Sequence, residues 1–525
     1  MISKKILSKL NLKTISNLFF YVCLGSIALQ GFLLRSGTQG VRDFWIDEVW
    51  RASAVANSNY YFDIDVPVQF STFILGKLGI LIFGKSTIAF KVWSQIFSIG
   101  AVLVFLKISR SLFSRSVTLI GLMLICVNIG LVEHAHESKP FSLESLLALL
   151  SILFFYNAQK EKSDRAWTNL LFVYALMSFS TTIFVFYFFV PLICLWNLRA
   201  HCKKLLTGPY VLGLLLWVVA ILAINFHYYK TINHYRLFNF WKGYTFGSSE
   251  YLYDLFVRSL PGTVTKYLFS SFNFSELPYL FSFSVLVLAW IVGPAILAAK
   301  KNPICVFIWG PLVIQIILAT LGKYPILSRV STFYFPIMIF SVCISVDTLL
   351  TKKFLKTTAL WEATLTILSS IVLLYILSPL HTGKTLANSI DAFSGRLTHI
   401  QEFSPLVNTL DLIGQENDIL LTNSRAMMFF DFYELKKDHK FEKASLPNGL
   451  LKEANRQAYL KELKKKYSGK FIWLVVSYET KPCNLFLSDF EKRKRFQLKY
   501  NILLPGSCLL GVQVLPTPNS KGSNT

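Results

Sequence analysis

SVTLIGLMLICVNIGLVEHAHESKPFSLESLLALLSILFFYN, residues 116–157, consists of two apolar runs joined by the polar stretch EHAHESKP. A helix rises about 1.5 Å per residue, so each run approaches the length that crosses roughly 30 Å of hydrocarbon. The stretch therefore reads as two membrane spans. The loop between them gathers Glu133, His134, His136, Glu137 and Lys139 at one face of the bilayer. Hydrophobic residues make up 53% of the 525-residue chain and charged residues only 16%, against about 25% charged in soluble proteins.

Working outward, apolar runs recur from residue 15 to about residue 381. The expected spans lie near 15–36, 86–106, 116–132, 140–157, 167–180, 182–198, 208–228, 278–299, 303–321, 330–350 and 359–380, eleven in all. The fifth and sixth are short and meet at Ser180-Thr181-Thr182. Segment 70–84 is apolar but too short to cross comfortably and is expected to lie in the outer interface. The first run is a full-length span with no small-residue cleavage site behind it, so no cleavable leader is expected.

The net charge of +24 raises nucleic acid as a partner, but its distribution favours a bilayer. Alternate loops carry the basic clusters Lys4–Lys13, Lys107–Arg115, Lys160–Arg165, Arg199–Lys204, Lys300-Lys301 and Lys352–Lys356. The short loops of the opposite set, 37–68, 133–139 and 322–329, carry only Arg42, Arg51, Lys139, Lys323 and Arg329. The positive-inside rule then makes the first set cytoplasmic, the amino terminus included. An odd span count sends the carboxyl terminus outside, in a multi-pass plasma (bacterial inner) membrane.

Outer segments 37–85, 131–141, 229–277 and 322–329 thereby share one compartment with the tail. The expected organisation is a membrane domain over 1–381, an α/β domain over 385–517 and a disordered end at 518–525. The tail alternates helix-like LVNTLDLIG, strand-like DILLTNS, helix-like AMMFFDFYELKK, a charged helix around 450–466, strand-like FIWLVVSY, a helix near 484–494 and strand-like CLLGVQVLP. Cys483 and Cys508 fall in this part and are candidates to pair in an oxidising compartment; the sequence leaves their separation open.

Four signals carry chemistry. Gly79-Ile-Leu-Ile-Phe-Gly84-Lys85-Ser86 fits the P-loop pattern, yet its intervening residues are all apolar and no strand-to-helix context surrounds it, so it reads as coincidence. Asp47 and Glu48 sit between Trp45-Ile46 and Val49-Trp50. Partial desolvation there favours a base near neutral pH, while a solvated acidic loop is the plain alternative. In EHAHESKP the histidines read as hydrogen-bonded loop residues, with a divalent metal left open, and Glu137 with Lys139 before Pro140 suggests a pocket. Lys323, Tyr324 and Arg329 form a cationic loop suited to lipid headgroups or to a phosphate.

In their order these stretches resemble the GT-C membrane glycosyltransferases of family 39 type, which include protein O-mannosyltransferases and aminoarabinose transferases. The resemblance rests on WIDEVWRASAVA (45–56), on FGKSTIAFKVWSQIFSIGAVLVFLKISRSLFSRSVTLIGLML (83–124) running into EHAHESKPFSLESLLALLS, and on GKYPILSRVSTFYFPIMIF (322–340). It covers roughly residues 15–350. It implies an α-helical polytopic membrane protein of the GT-C type that moves a sugar from a polyprenyl-phosphate donor to an extracytoplasmic protein, lipid or glycan acceptor. By the same resemblance Asp47 is the general base, Glu48 its support and Glu137 part of the pocket. Lys139, Lys323, Tyr324 and Arg329 face the donor phosphate. The chain departs from the family at Val66-Pro67-Val68-Gln69, where a basic residue precedes paired prolines, and at Lys139, where the family has arginine. A lipid-linked-sugar flippase and an inactive assembly subunit of the same fold are the alternatives. A flippase would carry ionisable residues at mid-membrane, whereas most charge here falls in loops.

Overall fold

The computed structural model describes residues 12–36, 46–198, 208–234, 284, 287–321, 332–352, 363–371, 403–433, 441–447, 450, 452–477, 481–504 and 507–516. Its contacts divide the chain into two compact units. The first comprises residues 1–38, 60–79 and 90–390, and the second residues 39–59, 80–89 and 391–525.

The first unit is helical: α1 (Leu12–Ser36), α4 (Thr87–Leu112), α5 (Arg115–Val127), α6 (Ile129–Ala135), α7 (Phe141–Glu161), α8 (Asp164–Met177), α9 (Thr181–Phe186), α10 (Phe189–Leu198), α11 (Gly208–His234), α12 (Gly293–Ala299), α13 (Ile304–Thr320) and α14 (Tyr334–Lys352). Helix α2 (Ile46–Asn57) belongs to the second unit, and α3 (Phe70–Phe83) begins in the first and ends in the second. Among the described residues four segments are long and apolar enough to cross a membrane: Thr14–Ser36, Thr87–Leu112, Phe141–Glu161 and Leu215–Ile232. Shorter apolar helices account for other expected spans, and residues 363–371 are helical within the last of them.

Two expected spans are broken. The run at 116–132 divides at Asn128, and that at 182–198 divides at Tyr187-Phe188. The junction at Ser178–Ser180 is a turn whose Phe179 carbonyl accepts from Ser71 N–H at 3.0 Å. Large apolar side chains face outward, with Phe226 71% and Leu222 64% exposed. Such surfaces suit lipid rather than water. Inside, aromatic rings pack the helices, with Phe155 and Phe307 centroids 4.3 Å apart.

The pseudo-P-loop falls in the end of α3 and the turn after it, with Gly84 at φ +68°. Among the described residues no strand precedes it, so the strand-to-helix frame of a P-loop is missing there.

In the second unit, α15 (Ser404–Ile413), α16 (Ser424–Tyr433), α17 (Glu453–Lys466) and α18 (Lys481–Glu491) accompany five strands, β1 (Ile419–Thr422), β2 (Glu442–Ser445), β3 (Phe471–Ser477), β4 (Phe496–Leu504) and β5 (Ser507–Val514). The sheet order is β2-β1-β3-β5-β4. Strands β2, β1 and β3 are mutually parallel, and β5 runs antiparallel to both β3 and β4. Central β1 and β3 are buried on both faces, hence their unbroken apolar sequences. The edge strands β2 and β4 were not expected. Their mostly exposed residues EKAS and FQLKYNILL lack that signal.

At the sheet centre Trp473 donates from Nε1 to Asp418 Oδ2 at 2.8 Å and stacks on Tyr500 at 5.2 Å. Gly511 lies under that stack, and a Cβ there would come within 2.7 Å of both rings. Cys483 and Cys508 are disulfide-bonded, with Cα atoms 6.5 Å apart, tying α18 to β5. Arg456 of α17 pairs with Asp489 of α18 in a buried contact.

Closing a loop across 25 residues constrains the unfolded chain by about 3–4 kcal/mol. Reductant, or Cys508→Ala, is therefore expected to lower the thermal midpoint of the second unit in the full-length protein. An unchanged melt in differential scanning calorimetry contradicts this.

Candidate functional site

Asp47 and Glu48 occupy the first turn of α2, where the helix dipole favours acidic groups. Successive helical positions lie about 100° apart, so the pair cannot share one environment. Glu48 is buried at 2% exposure, whereas Asp47 stays partly exposed. Val49, Ala52 and Val55 are buried along the helix, which packs against α16. Within the same unit Lys85 Nζ lies 3.5 Å from Asn57 Oδ1 and 5.7 Å from the Phe432 ring centroid. The acid pair thus rides on a rigid helix anchored within the second unit.

Glu137 and Lys139 belong to the first unit. Asn128 ends α5 and caps α6 by accepting from Leu131 N–H at 2.9 Å, which redirects the chain into the polar turn. His134 Nδ1 is 3.1 Å from Glu137 Oε2, and His136 Nε2 donates to Leu34 O at 2.9 Å. Ser142 Oγ holds His134 O at 3.1 Å. His134, expected in a loop, instead lies in the last turn of α6, and together with His136 in the turn that follows it fastens this stretch. Among the described residues no three His, Cys, Asp or Glu side chains are gathered to hold a metal ion.

Lys139 is 6% exposed, its Nζ 5.9 Å from the Phe141 ring centroid, and its carbonyl accepts from Ser94 Oγ at 3.1 Å. With Thr72, Trp93, Ser94 and Ser138 it lines a groove of about 300 Å³. This is a small, partly polar recess holding a buried cation. Ahead of α3 the 60–69 segment is fixed by Tyr61 Oη donating to Val68 O at 2.9 Å and by His227 Nε2 donating to Ile64 O at 3.1 Å. Burial pushes the Tyr61 phenol well above its ordinary value, so it remains a donor at neutral pH.

Lys323, Tyr324 and Arg329, with Asp43, lie outside the described residues. Asp47 and Glu48 share one helix turn, and Glu137 and Lys139 share one loop.

The sequence reading passed over Arg35. This side chain is 1% exposed and makes four hydrogen bonds: Nε to Ser98 Oγ (2.8 Å), Nη1 to Gly31 O (3.1 Å) and Cys126 O (2.7 Å), and Nη2 to Ile125 O (2.7 Å). Ile125 and Cys126 lie in the last turn of α5, whose carbonyls have no partner within the helix. Gly31 permits the approach, because a Cβ there would meet Cys126 Sγ at 2.5 Å. Glu144 was passed over as well. It is 1% exposed on α7 and accepts from Ser180 Oγ at 2.6 Å. An ionisable residue at the end of, or inside, an apolar run is the signal that marks both.

No protein-family model and no curated protein matches the chain. Solved structures are similar to it. ArnT from Cupriavidus metallidurans in the apo state is 10% identical with a TM-score of 0.48, over 96% of this chain and 98% of that one. The same ArnT bound to undecaprenyl phosphate is 11% identical with a TM-score of 0.47, over 96% and 99% of the two chains. The Archaeoglobus fulgidus oligosaccharyltransferase in complex with Zn and sulfate is 11% identical with a TM-score of 0.43, over 87% and 68%.

Arg35→Met is expected to strand the α5 carbonyls, at about 1–3 kcal/mol for each unsatisfied group. Arg35→Lys should recover only part of the loss, because an ammonium cannot reproduce the planar fork. Thermal unfolding in detergent checks the order wild type, Lys, Met; equal midpoints contradict it.

Proposed function

We propose that the chain is a membrane glycosyltransferase of the GT-C type. It transfers a sugar from a polyprenyl-phosphate donor to an acceptor outside the cytoplasm. The reading takes eleven spans with the amino terminus inside, the membrane domain over 1–381 and the extracytoplasmic α/β domain over 385–517. The observation that carries it is the asymmetric acid pair: a partly exposed Asp47 beside a buried Glu48 at the start of one helix. A base must reach its substrate, and a sequestered neighbouring carboxylate can orient what surrounds it without competing for the acceptor.

In this mechanism the acceptor O–H gives its proton to Asp47 as its oxygen attacks the anomeric carbon. The bond from that carbon to the phosphate oxygen breaks, and polyprenyl phosphate departs with the bonding electrons. One carboxylate suffices, since phosphate leaves without protonation. Cations stabilise the charge that develops on the leaving group. Lys139, already desolvated in its recess, takes that role together with Lys323, Tyr324 and Arg329, and Glu137 helps shape the pocket.

Asp47→Asn is expected to lower transfer from radiolabelled polyprenyl-phosphate sugars to envelope extract by about 10²-fold or more, the size of a lost general base. Lys139→Ala should slow transfer while the remaining transfer still depends on Asp47. Transfer by Asp47→Asn at the wild-type rate would move the base to another carboxylate. Absence of transfer by the wild type with every donor would favour the flippase or inactive-subunit reading.

A further inference from the structure

Two basic segments distant in sequence meet at one end of the sheet in the second unit. Strands β3 and β4 both run antiparallel to β5, so their starting ends lie together. Lys464-Lys465-Lys466 and Lys470 precede β3, and Lys492-Arg493-Lys494-Arg495 precede β4. The end of β5 stitches the two segments together. Gly469 N–H donates to Val514 O at 2.9 Å, Val514 N–H to Lys470 O at 3.0 Å, and Leu515 N–H to Arg495 O at 3.0 Å. Strands are about 4.8 Å apart, so segments separated by one strand stand about 10 Å apart, near the screening length at physiological salt. Eight cations therefore act as one field.

A plain explanation is that α17 and α18 both end here, and cations suit helix carboxyl ends. It accounts for too little charge. Each helix end presents about half a negative charge. The acids at this end are Glu442, already 3.0 Å from Lys470 Nζ, Glu462 and Glu491, with Glu416 and Asp418 just before the parallel strand β1, where Asp418 is engaged by Trp473, so the eight cations still exceed the acids. Lys465, Lys466, Lys492 and Lys494 are exposed, and Arg495 Nη1 is buried with no hydrogen-bond partner. Arg495 as a whole stays partly exposed, so an incoming anion meets a guanidinium that adds direction to the charge of the lysines.

We propose that this sheet end is a docking surface for a phosphate-bearing polyanion in solution, with Arg495 as the directional contact and the exposed lysines as the attracting field. Membrane headgroups fit less well. Among the described residues no large apolar side chain of 464–470 or 492–495 is exposed to anchor in a bilayer. The proposal does not depend on the transferase reading.

The test uses full-length protein in nanodiscs of phosphatidylcholine, with inorganic polyphosphate as probe and affinity followed against salt concentration. Lys465→Glu/Lys494→Glu should weaken binding about tenfold or more and flatten the salt dependence. Arg425→Glu/Lys452→Glu changes net charge equally, away from the two segments, and should weaken it much less. Arg495→Gln should weaken binding with the salt dependence nearly kept. Equal losses in the two double variants would reduce the effect to net charge and overturn the proposal. So would an absence of wild-type binding. If the difference between wild type and Lys465→Glu/Lys494→Glu vanishes in phosphatidylglycerol nanodiscs, headgroups occupy the surface, and the proposal also falls.

Discussion

A helix that stops in an apolar environment leaves carbonyls that water cannot reach, and the way α5 meets this constraint organises much of the first unit. Its last carbonyls accept from the guanidinium of Arg35, which α1 carries and which α4 steadies through Ser98. Three helices are thereby joined at one point. The tight α1–α5 contact at Gly31 follows, because the guanidinium reaches those carbonyls only if the backbones come close. Asn128 then restarts the chain as α6, and the polar turn at 136–140 hangs from α1 through His136 and from α4 through Ser94.

The second unit meets the same demand differently. Its central strands bury both faces and leave little room for polar groups, so Trp473 shares its indole proton with Asp418, and the glycine at 511 makes space for the aromatic stack. Helix α2 docks on α16 through apolar positions, so its two acids are carried by packed scaffold rather than by a loose loop. For the base proposed at Asp47 this is an advantage, since chemistry depends on a carboxylate held in a fixed position.

The recess around Lys139 illustrates how an apolar setting changes a charge. A lysine in open water spreads its field into solvent, whereas one enclosed by Phe141, Pro140 and Trp93 keeps it. The histidines beside it serve as fasteners through their carbonyl and carboxylate partners.

Composition and periodicity by themselves determined the apolar helices, the paired acids, the polar turn after Asn128 and the apolar central strands, because hydrocarbon length and two-sided burial write directly into runs of residues. Edge strands β2 and β4 left no such trace, since half-exposed backbone tolerates polar side chains. Arg35 read as the end of a span, because a single residue cannot reveal that helix carbonyls about 90 positions away need it. Likewise Asp47 and Glu48 read as equals, and helix geometry with packing made one buried and the other accessible. The convergence of the two lysine-rich segments required the antiparallel course of β5 between them. Burial and periodicity are local properties and are legible in sequence; partnership between distant groups exists only once the chain has closed on itself.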